Sequence, residues 1–335
     1  MKKKIAVAYG GYSSEKSISK GSADGVCSFI DKEKFDVYPV LIDKKKWCAI
    51  IEDKEYTVSK EDFSFVIDGQ KIVPDCIYNT IHGTPGEDGL LQGYLKMLGI
   101  PHTSSDVFTA ALTYDKKACK IFLNKYGFNS AKFLSIRKDS DYTISEIVSY
   151  LGFPCFVKPN TGGSSFGITK VNYSENLETA IDKAFEESDD VIIEEFIEGI
   201  EITCGLYKTS EKSVVFPLTL IISENEFFDF EAKYTLGKSQ EITPAPIDAK
   251  IATEIENTSS TIYDLLGCRG FIRIDYIIKN DKIFLLEVNS NPGMTSRSIV
   301  PQQIAAKGLN ITDIFTDIIE DSMKRSEVSG LRFQV

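Results

Sequence analysis

Histidine is almost missing from this sequence: His82 and His102 are the only two in 335 residues. A zinc site of the Cys/His type therefore has too few ligands to draw on. The seven cysteines (27, 48, 76, 119, 155, 204 and 268) form an odd set with no Cys-x-x-Cys pair and no regular spacing. Several sit in apolar runs, as in Phe153-Pro154-Cys155-Phe156-Val157, which reads as buried free thiols in a reducing cytoplasm rather than a disulfide framework. Cationic charge is also in deficit, with 38 Lys plus Arg against 49 Asp plus Glu and a net charge of −11. That balance excludes a general nucleic-acid or anionic-membrane binder, which needs clustered excess cation, but leaves room for a local lysine cluster holding one small anion. No apolar run approaches the roughly 18–20 residues that span a bilayer. Lys2–Lys4 before Ile5–Tyr9 imitates a signal peptide, yet the apolar stretch is short and runs into Gly10-Gly11, so a first buried strand is expected.

What is present is an ordinary globular composition, 42% hydrophobic and 26% charged. At about 100–200 residues per domain the length allows two or three domains. To about residue 105, apolar strands (Ile5–Tyr9, Val37–Ile42, Cys76–Ile81) alternate with helical patterns from Ser17 and over Leu90–Leu98. That order indicates parallel βα units, with functional groups collected beyond the strand C-termini. From Asp106 a helix over Asp115–Tyr126, a Gly/Ser-rich turn after Cys155–Pro159, a strand Ile168–Val171, a helix Asn176–Glu187 and a strand Val191–Ile197 are expected. The remainder carries antiparallel signals: strands over Glu201–Tyr207, Val214–Ile222, 270–279 and 283–289, with helices over Ala252–Leu266, Val300–Lys307 and Ile311–Met323. The fold class is thus α/β, turning to α+β in the C-terminal half.

Three constellations carry chemistry. Asn160-Thr161-Gly162-Gly163-Ser164-Ser165-Phe166-Gly167 lies between two strands, so it fails the strand-to-helix context of a P-loop. A glycine-rich hairpin can still lay backbone N–H groups over phosphates. Lys158, on the strand before it, needs a counter-charge that a nucleotide phosphate would provide. Next, Glu194-Glu195-Phe196-Ile197-Glu198-Gly199-Ile200-Glu201 reads on spacing alone as a solvated strand end. The alternative is an adenosine pocket in which the Phe196–Ile197 backbone meets the adenine edge, Glu194 accepts from its amino group and Glu201 takes the ribose hydroxyls.

The third is Arg273-Ile274-Asp275 with Glu287-Val288-Asn289 on paired strands. Alternation puts Ile272, Ile274, Tyr276 and Ile278 on one face and Arg273, Asp275 and Ile277 on the other. In the second strand Phe284, Leu286 and Val288 form the apolar face, leaving Leu285, Glu287 and Asn289 opposite. A three-residue loop, Asn280-Asp281-Lys282, then sets Asp275 across from Glu287 and Arg273 across from Asn289. Neighbouring carboxylates repel unless a divalent cation lies between them, and these oxygens suit Mg²⁺. A plain exposed hairpin with an Arg273–Glu287 salt bridge leaves the Asp275–Glu287 pairing unexplained. Glu87 and Asp88, after a Gly-rich turn, read as helix caps, and His102 as a loop residue.

Taken together, these constellations resemble the ATP-grasp carboxylate–amine ligases, and within them the D-alanine–D-alanine ligase family. Gly10-Gly11-Tyr12-Ser13-Ser14-Glu15, His82-Gly83-Thr84-Pro85-Gly86-Glu87-Asp88-Gly89, Phe230-Glu231-Ala232-Lys233-Tyr234 and Asn289 through Ser298 extend the likeness over nearly the whole chain. The resemblance implies three domains (1–105, 106–196, 197–335) and ATP-dependent joining of two D-alanines through a D-alanyl phosphate, for peptidoglycan precursor synthesis. It implies that Lys116 and Lys158 hold the α- and β-phosphates, Lys233 reaches the γ-phosphate, and Asp275, Glu287 and Asn289 ligate two Mg²⁺ ions, with Mn²⁺ as a substitute. By the same likeness Glu15, in a trio with Ser164 and Tyr234, accepts the first D-alanine's ammonium, and His82 lies near its carboxylate. Ser298 and the Ile299 backbone grip the second carboxylate, while Arg273 and the Gly293 N–H stabilise the oxyanion. A cytoplasmic homodimer is implied as well. Alternatives are a D-alanine–D-lactate or D-alanine–D-serine ligase of the same fold, and a nucleotide-binding regulator without activity.

Overall fold

The computed structural model describes residues 2–223 and 239–328. The N-terminal sheet is built on β1 (Lys3–Gly10), whose Ile5, Ala6, Val7 and Ala8 are fully buried. A strand apolar on both faces belongs inside a sheet covered on both sides. β1 pairs in parallel with β2 (Phe35–Ile42) and β7 (Cys76–Asn79). The expected parallel sheet is therefore its core, but the edge is antiparallel: β3 (Trp47–Ile51) and β4 (Lys54–Thr57) fold back from β2. A small hairpin, β5 (Phe65–Ile67) and β6 (Gln70–Ile72), follows. At the end of β1, Gly10 and Gly11 both take positive φ, and a Cβ on Gly10 would lie 2.7 Å from the Ile42 carbonyl oxygen. Only glycine allows this turn, which sends the chain into α1 (Lys16–Phe29) and leaves Glu15 at the helix entrance. Helix α2 (Leu90–Met97) follows β7.

Helices α3 (Val107–Tyr114) and α4 (Lys116–Lys125) lead to a second sheet, order β10-β9-β11-β8, of β8 (Phe133–Arg137), β9 (Cys155–Pro159), β10 (Thr169–Val171) and β11 (Asp190–Glu195). Two helices, α5 (Ile144–Leu151) and α6 (Leu177–Phe185), pack against it. Asp115 caps α4 by accepting from the Ala118 N–H at 2.8 Å. Asn160 ties the base of the β9–β10 hairpin to the same helix end, its carbonyl taking the Lys116 N–H and its side chain the Lys117 N–H.

The third sheet has β12 (Ile200–Lys208) and β16 (Gly270–Lys279) at its centre. Beyond β12 lie β13 (Ser213–Val215) on one stretch and β14 (Thr219–Ser223) with β15 (Ser239–Ile242) on another. The sequence reading of Val214–Ile222 as one strand is thus corrected to two. Pro217 lies between them and has no N–H to give a ladder. Helix α7 (Ala249–Leu266) covers this sheet's apolar face. The described residues end in α8 (Ile299–Ala306) and α9 (Ile311–Val328), and α9 returns to pack on the N-terminal sheet through Phe315, Ile318 and Ile319.

The hairpin of β16 and β17 (Lys282–Asn289) has the register expected at its functional end, Arg273 opposite Asn289 and Asp275 opposite Glu287. It reaches that register differently. Lys279 pairs with Lys282, so the loop is the two residues Asn280-Asp281, both at positive φ as a tight primed turn requires. A β-bulge at Leu286 then makes up the missing residue. Between the turn and the bulge the expected faces are reversed: Leu285 opposes Tyr276 in the core at 3% exposure, while Phe284 and Leu286 turn to the other side. Leu285→Ala should consequently cost about 2–4 kcal/mol of unfolding free energy, and Leu286→Ala under about 1 kcal/mol, in urea titrations. Equal losses would contradict the bulge.

Candidate functional site

A cavity of about 570 Å³ opens between the second and third sheets. Eight residues singled out from the sequence line it: Lys116, Lys158, Glu194, Phe196, Ile197, Glu201, Asp275 and Glu287. Its walls are the strand end after β11 on one side and the bulged β17 with Ile277 on the other. Apolar side chains Ile197, Leu220, Phe284 and Leu286 make much of the lining; Lys116, Lys158 and Glu287 meet at a charged end, and Glu195, Glu198 and Glu201 line it elsewhere. Lys170 lies over the Phe196 ring, 4.4 Å from its centre, steadying an aromatic that borders the cavity.

The charged end is built from three elements. Lys158 on β9 donates to Glu194 Oε2 at 2.7 Å, and Lys120 on α4 pairs with Glu194 Oε1 at 3.1 Å. All three side chains are buried, at 7%, 2% and 3% exposure. The counter-charge that Lys158 requires is therefore already supplied by Glu194, the residue assigned to the adenine amino group. Burial alone would raise the pKa of Glu194, but Lys120 and Lys158 hold it below the ordinary carboxylate value. Lys116 donates to the Gly162 carbonyl at 2.6 Å, gripping the glycine-rich hairpin. Burial lowers the pKa of Lys116, Glu287 opposes that shift and Lys158 adds to it.

Across the cavity the Asp275 carboxylate is held from several directions. Arg273 forks onto it, Nε to Oδ1 at 2.9 Å and Nη2 to Oδ2 at 2.8 Å. Asn289 Nδ2 donates to Oδ2 at 3.0 Å, and the Thr203 hydroxyl donates to Oδ1 at 2.5 Å. The weighed Arg273–Glu287 bridge is thus replaced by Arg273–Asp275. Thr203 escaped the sequence reading because only strand register, Thr203 opposite Asp275, reveals it. Among the described residues no three His, Cys, Asp or Glu side chains cluster as metal ligands. The donor set is two carboxylates and one amide, with Asn289 also 3.5 Å from Glu287 Oε1. Such a set fits Mg²⁺, which takes few protein ligands and completes its shell with phosphate and water oxygens; the Asn289 amide can turn its oxygen inward.

A third group lies where the N-terminal sheet meets these two. Ser164, at positive φ in the hairpin, donates to Glu15 Oε1 at 2.5 Å. A Cβ on Gly163 would come within 2.9 Å of the same oxygen, so the loop's close approach depends on glycine. His82 Nε2 is 3.1 Å from the Ser22 hydroxyl, which also accepts from the Met294 N–H at 3.3 Å. Ser298 accepts from the Thr295 N–H, and its hydroxyl lies 3.1 Å from where a Gly293 Cβ would be. Ile299 opens α8 just beyond. Ser22 thus links His82 to the Gly293–Ser298 turn. Gly89, not Glu87 or Asp88, is the N-cap of α2 and it has no side-chain cap bond; Asp88 accepts from the Leu90 N–H and Glu87 from the Gly83 N–H at 2.6 Å. Burial, with Glu15 next, pushes Glu87 up to about 8. Lys233 and Tyr234 lie outside the described residues. Lys120 escaped the sequence reading as well: its one signal is the helical i, i+4 spacing from Lys116, and nothing local marks it as buried.

His82 is buried and His102 partly so, and this desolvation pushes both pKa values down to about 4, with Arg273 adding to the effect at His82 and Arg269 at His102. Unfolded histidine titrates near 6.5, so below that pH the unfolded chain binds more protons than the folded one. This contribution to stability should be full above about pH 6.5 and be lost as pH falls through about 4. Imidazole NMR should show neither histidine titrating between about pH 8 and 5.5; a signal moving with a midpoint near 6.5 would contradict this burial.

Two family models match the chain: "D-ala D-ala ligase N-terminus" over residues 4–105 and "D-ala D-ala ligase C-terminus" over 122–320. A D-alanine–D-alanine ligase of Phocaeicola vulgatus is 51% identical over 323 residues, covering 96% of this chain and 99% of that one. The Porphyromonas gingivalis ligase of the same name is 44% identical over 98% of this chain and all of its own. Among solved structures, the VanG D-Ala:D-Ser ligase of Enterococcus faecalis superposes with a TM-score of 0.85 at 33% identity, covering 96% of this chain and 100% of that one. The ATP complex of the Bacillus anthracis D-alanine–D-alanine ligase gives 0.77 at 28% identity, covering 98% and 100%.

Proposed function

The chain belongs to the D-alanine–D-alanine ligase family, and on that premise we propose that its cavity binds ATP and that it joins two D-alanines through a D-alanyl phosphate. It is a ligase with the ATP-grasp fold. The observation that carries the reading is that Lys116, Lys158, Asp275 and Glu287 line one cavity together with the apolar Ile197, Leu220, Phe284 and Leu286. A purine fits the apolar part and a triphosphate the charged part.

A carboxylate is a poor electrophile, so the first D-alanine must be phosphorylated before an amine can attack it. Glu15, fixed by Ser164, accepts its ammonium, and the neutral His82 lies beside the Ser22–Met294 link without adding charge. Lys116 and Lys158 neutralise phosphate oxygens, and positioning supplies much of the acceleration. Mg²⁺ bound by Asp275, Glu287 and Asn289, or Mn²⁺ in its place, would supply further charge neutralisation at the phosphates. The second D-alanine's carboxylate meets Ser298 and the Ile299 N–H, and its amine attacks the acyl phosphate. Arg273 and the Gly293 N–H hold the resulting oxyanion, and phosphate leaves. Arg273 is held by Asp275 along one edge, which fixes the orientation of the guanidinium.

Among the described residues no helix is long and apolar enough to cross a membrane. A cytoplasmic setting is supported by seven cysteines that are all free thiols. A homodimer is supported by Leu90, Met97 and Phe108, apolar side chains left exposed on α2 and α3. Joining D-serine at the second position is the competing reading, favoured by the VanG likeness; the 51% identity to a D-alanine–D-alanine ligase outweighs it.

The test is a panel of D-alanine alone and with D-serine or D-lactate, read as ADP formation and product mass. D-alanine alone should drive ADP formation and yield the dipeptide. ADP formation independent of D-alanine would overturn the proposal, and a mixed product formed in preference would favour the competitor. Arg273→Ala should lower kcat by about 10²–10³-fold and leave the KM for ATP within about threefold, as for loss of an oxyanion donor. Equal small effects on both would remove Arg273 from that role.

A further inference from the structure

We propose that Lys120 is a positioning residue for the nucleotide: it holds the Glu194 carboxylate in place so that Lys158 is released to bind phosphate. The proposal rests on the reading that Lys158 meets a nucleotide phosphate. Its own basis is the distribution of charge at the crossing of α4, β9 and β11. Two ammonium groups share one carboxylate there, one on each oxygen, at 3.1 and 2.7 Å. For neutralising Glu194 alone the second lysine is surplus, and a surplus buried cation is costly. Lys120 is 2% exposed and does not line the cavity, whereas Lys158 does. The two lysines are therefore inequivalent: one faces inward only to Glu194, and the other has Glu194 behind it and the cavity in front.

That asymmetry explains the surplus. When a phosphate draws on Lys158, Glu194 keeps the Lys120 ammonium 3.1 Å away as its counter-charge and is not left as a lone buried charge. Without Lys120, every phosphate contact made by Lys158 would be taken from Glu194. Burial lowers the pKa of Lys120 and Glu194 counteracts this, so its charge too depends on the pair staying closed. Helix geometry supplies the means. Lys116 and Lys120 lie one turn apart on α4, so a single helix presents one lysine to the glycine-rich hairpin and the other to the back of the site.

The test uses the full chain with Lys120→Met and Lys120→Arg, measuring ATP Kd calorimetrically, the KM values for ATP and D-alanine, and thermal melting. Lys120→Met should raise Kd and KM for ATP about tenfold or more and leave the KM for D-alanine within about twofold; Lys120→Arg should restore most of the loss. A purely structural lysine would lower the melting temperature and the active fraction without separating the two KM values, and that result overturns the proposal. If Lys120→Met folds poorly, Lys120→Met with Glu194→Gln removes the uncompensated carboxylate. This double variant should bind ATP more tightly than Glu194→Gln with Lys158→Met; equal binding overturns the proposal. Failure of the unaltered protein to bind ATP would instead overturn the nucleotide reading, whereas binding left unchanged by Lys120→Met overturns this proposal alone.

Discussion

Ionised side chains buried away from water must find their opposite charge inside the protein, and that constraint organises this molecule. Lys120, Glu194 and Lys158 meet where a helix crosses two strands, and Arg273 with Asp275 repeats the arrangement on the facing sheet. Glu194 faces two ammonium groups, and Asp275 is bound by Arg273, Asn289 and Thr203, because a lone buried carboxylate is costly. The two clusters stand on opposite walls of one cavity. The net charge of −11 gives no hint of this, since the cations that matter are few and concentrated.

Positions of this accuracy depend on backbone devices far from the charges. The Gly10-Gly11 turn brings Glu15 toward the second sheet, and Ser164 reaches it from a hairpin anchored to α4 through Asn160. The bulge at Leu286 returns Glu287 to its place opposite Asp275 after a turn one residue shorter than the facing patterns demand. The glycine-rich hairpin is likewise held by its neighbours, Lys116 on one side and Glu15 on the other. Helix α9, last in the described chain, closes the core of the first sheet, so the N-terminal wall of the site depends on the C-terminal end for its packing.

Much of this was legible in the sequence where local chemistry and pattern agree. Continuous apolar strands, the glycine turns and the Arg273-x-Asp275 with Glu287-x-Asn289 spacing pointed to the elements and to the facing acids. The tight turn and the bulge were not legible, because their errors cancel at the functional end and show only in the exchanged faces of Leu285 and Leu286. Nor were Thr203, Ser22 and Lys120, which act through partners distant in sequence; a hydroxyl or a lysine carries no local sign of what it will face. Pro217 interrupts the apolar run Val214–Ile222 that reads as one strand, and the structure breaks the strand there. Glu87 and Asp88 share the pattern of a helix cap, yet the folded turn gives the cap position to Gly89.

The internal ion pairs on both walls hold places that a metal–nucleotide complex would take, with Asp275 and Glu287 as the anionic half of the site. The most direct measurement is the calorimetric affinity of the full chain for ATP with excess Mg²⁺ and with a chelator. Binding at least about tenfold tighter with Mg²⁺ is expected, since two carboxylates facing a polyphosphate repel it without a bridging cation. Equal affinity in the two conditions would contradict the assignment of Asp275 and Glu287 and the arrangement built on them.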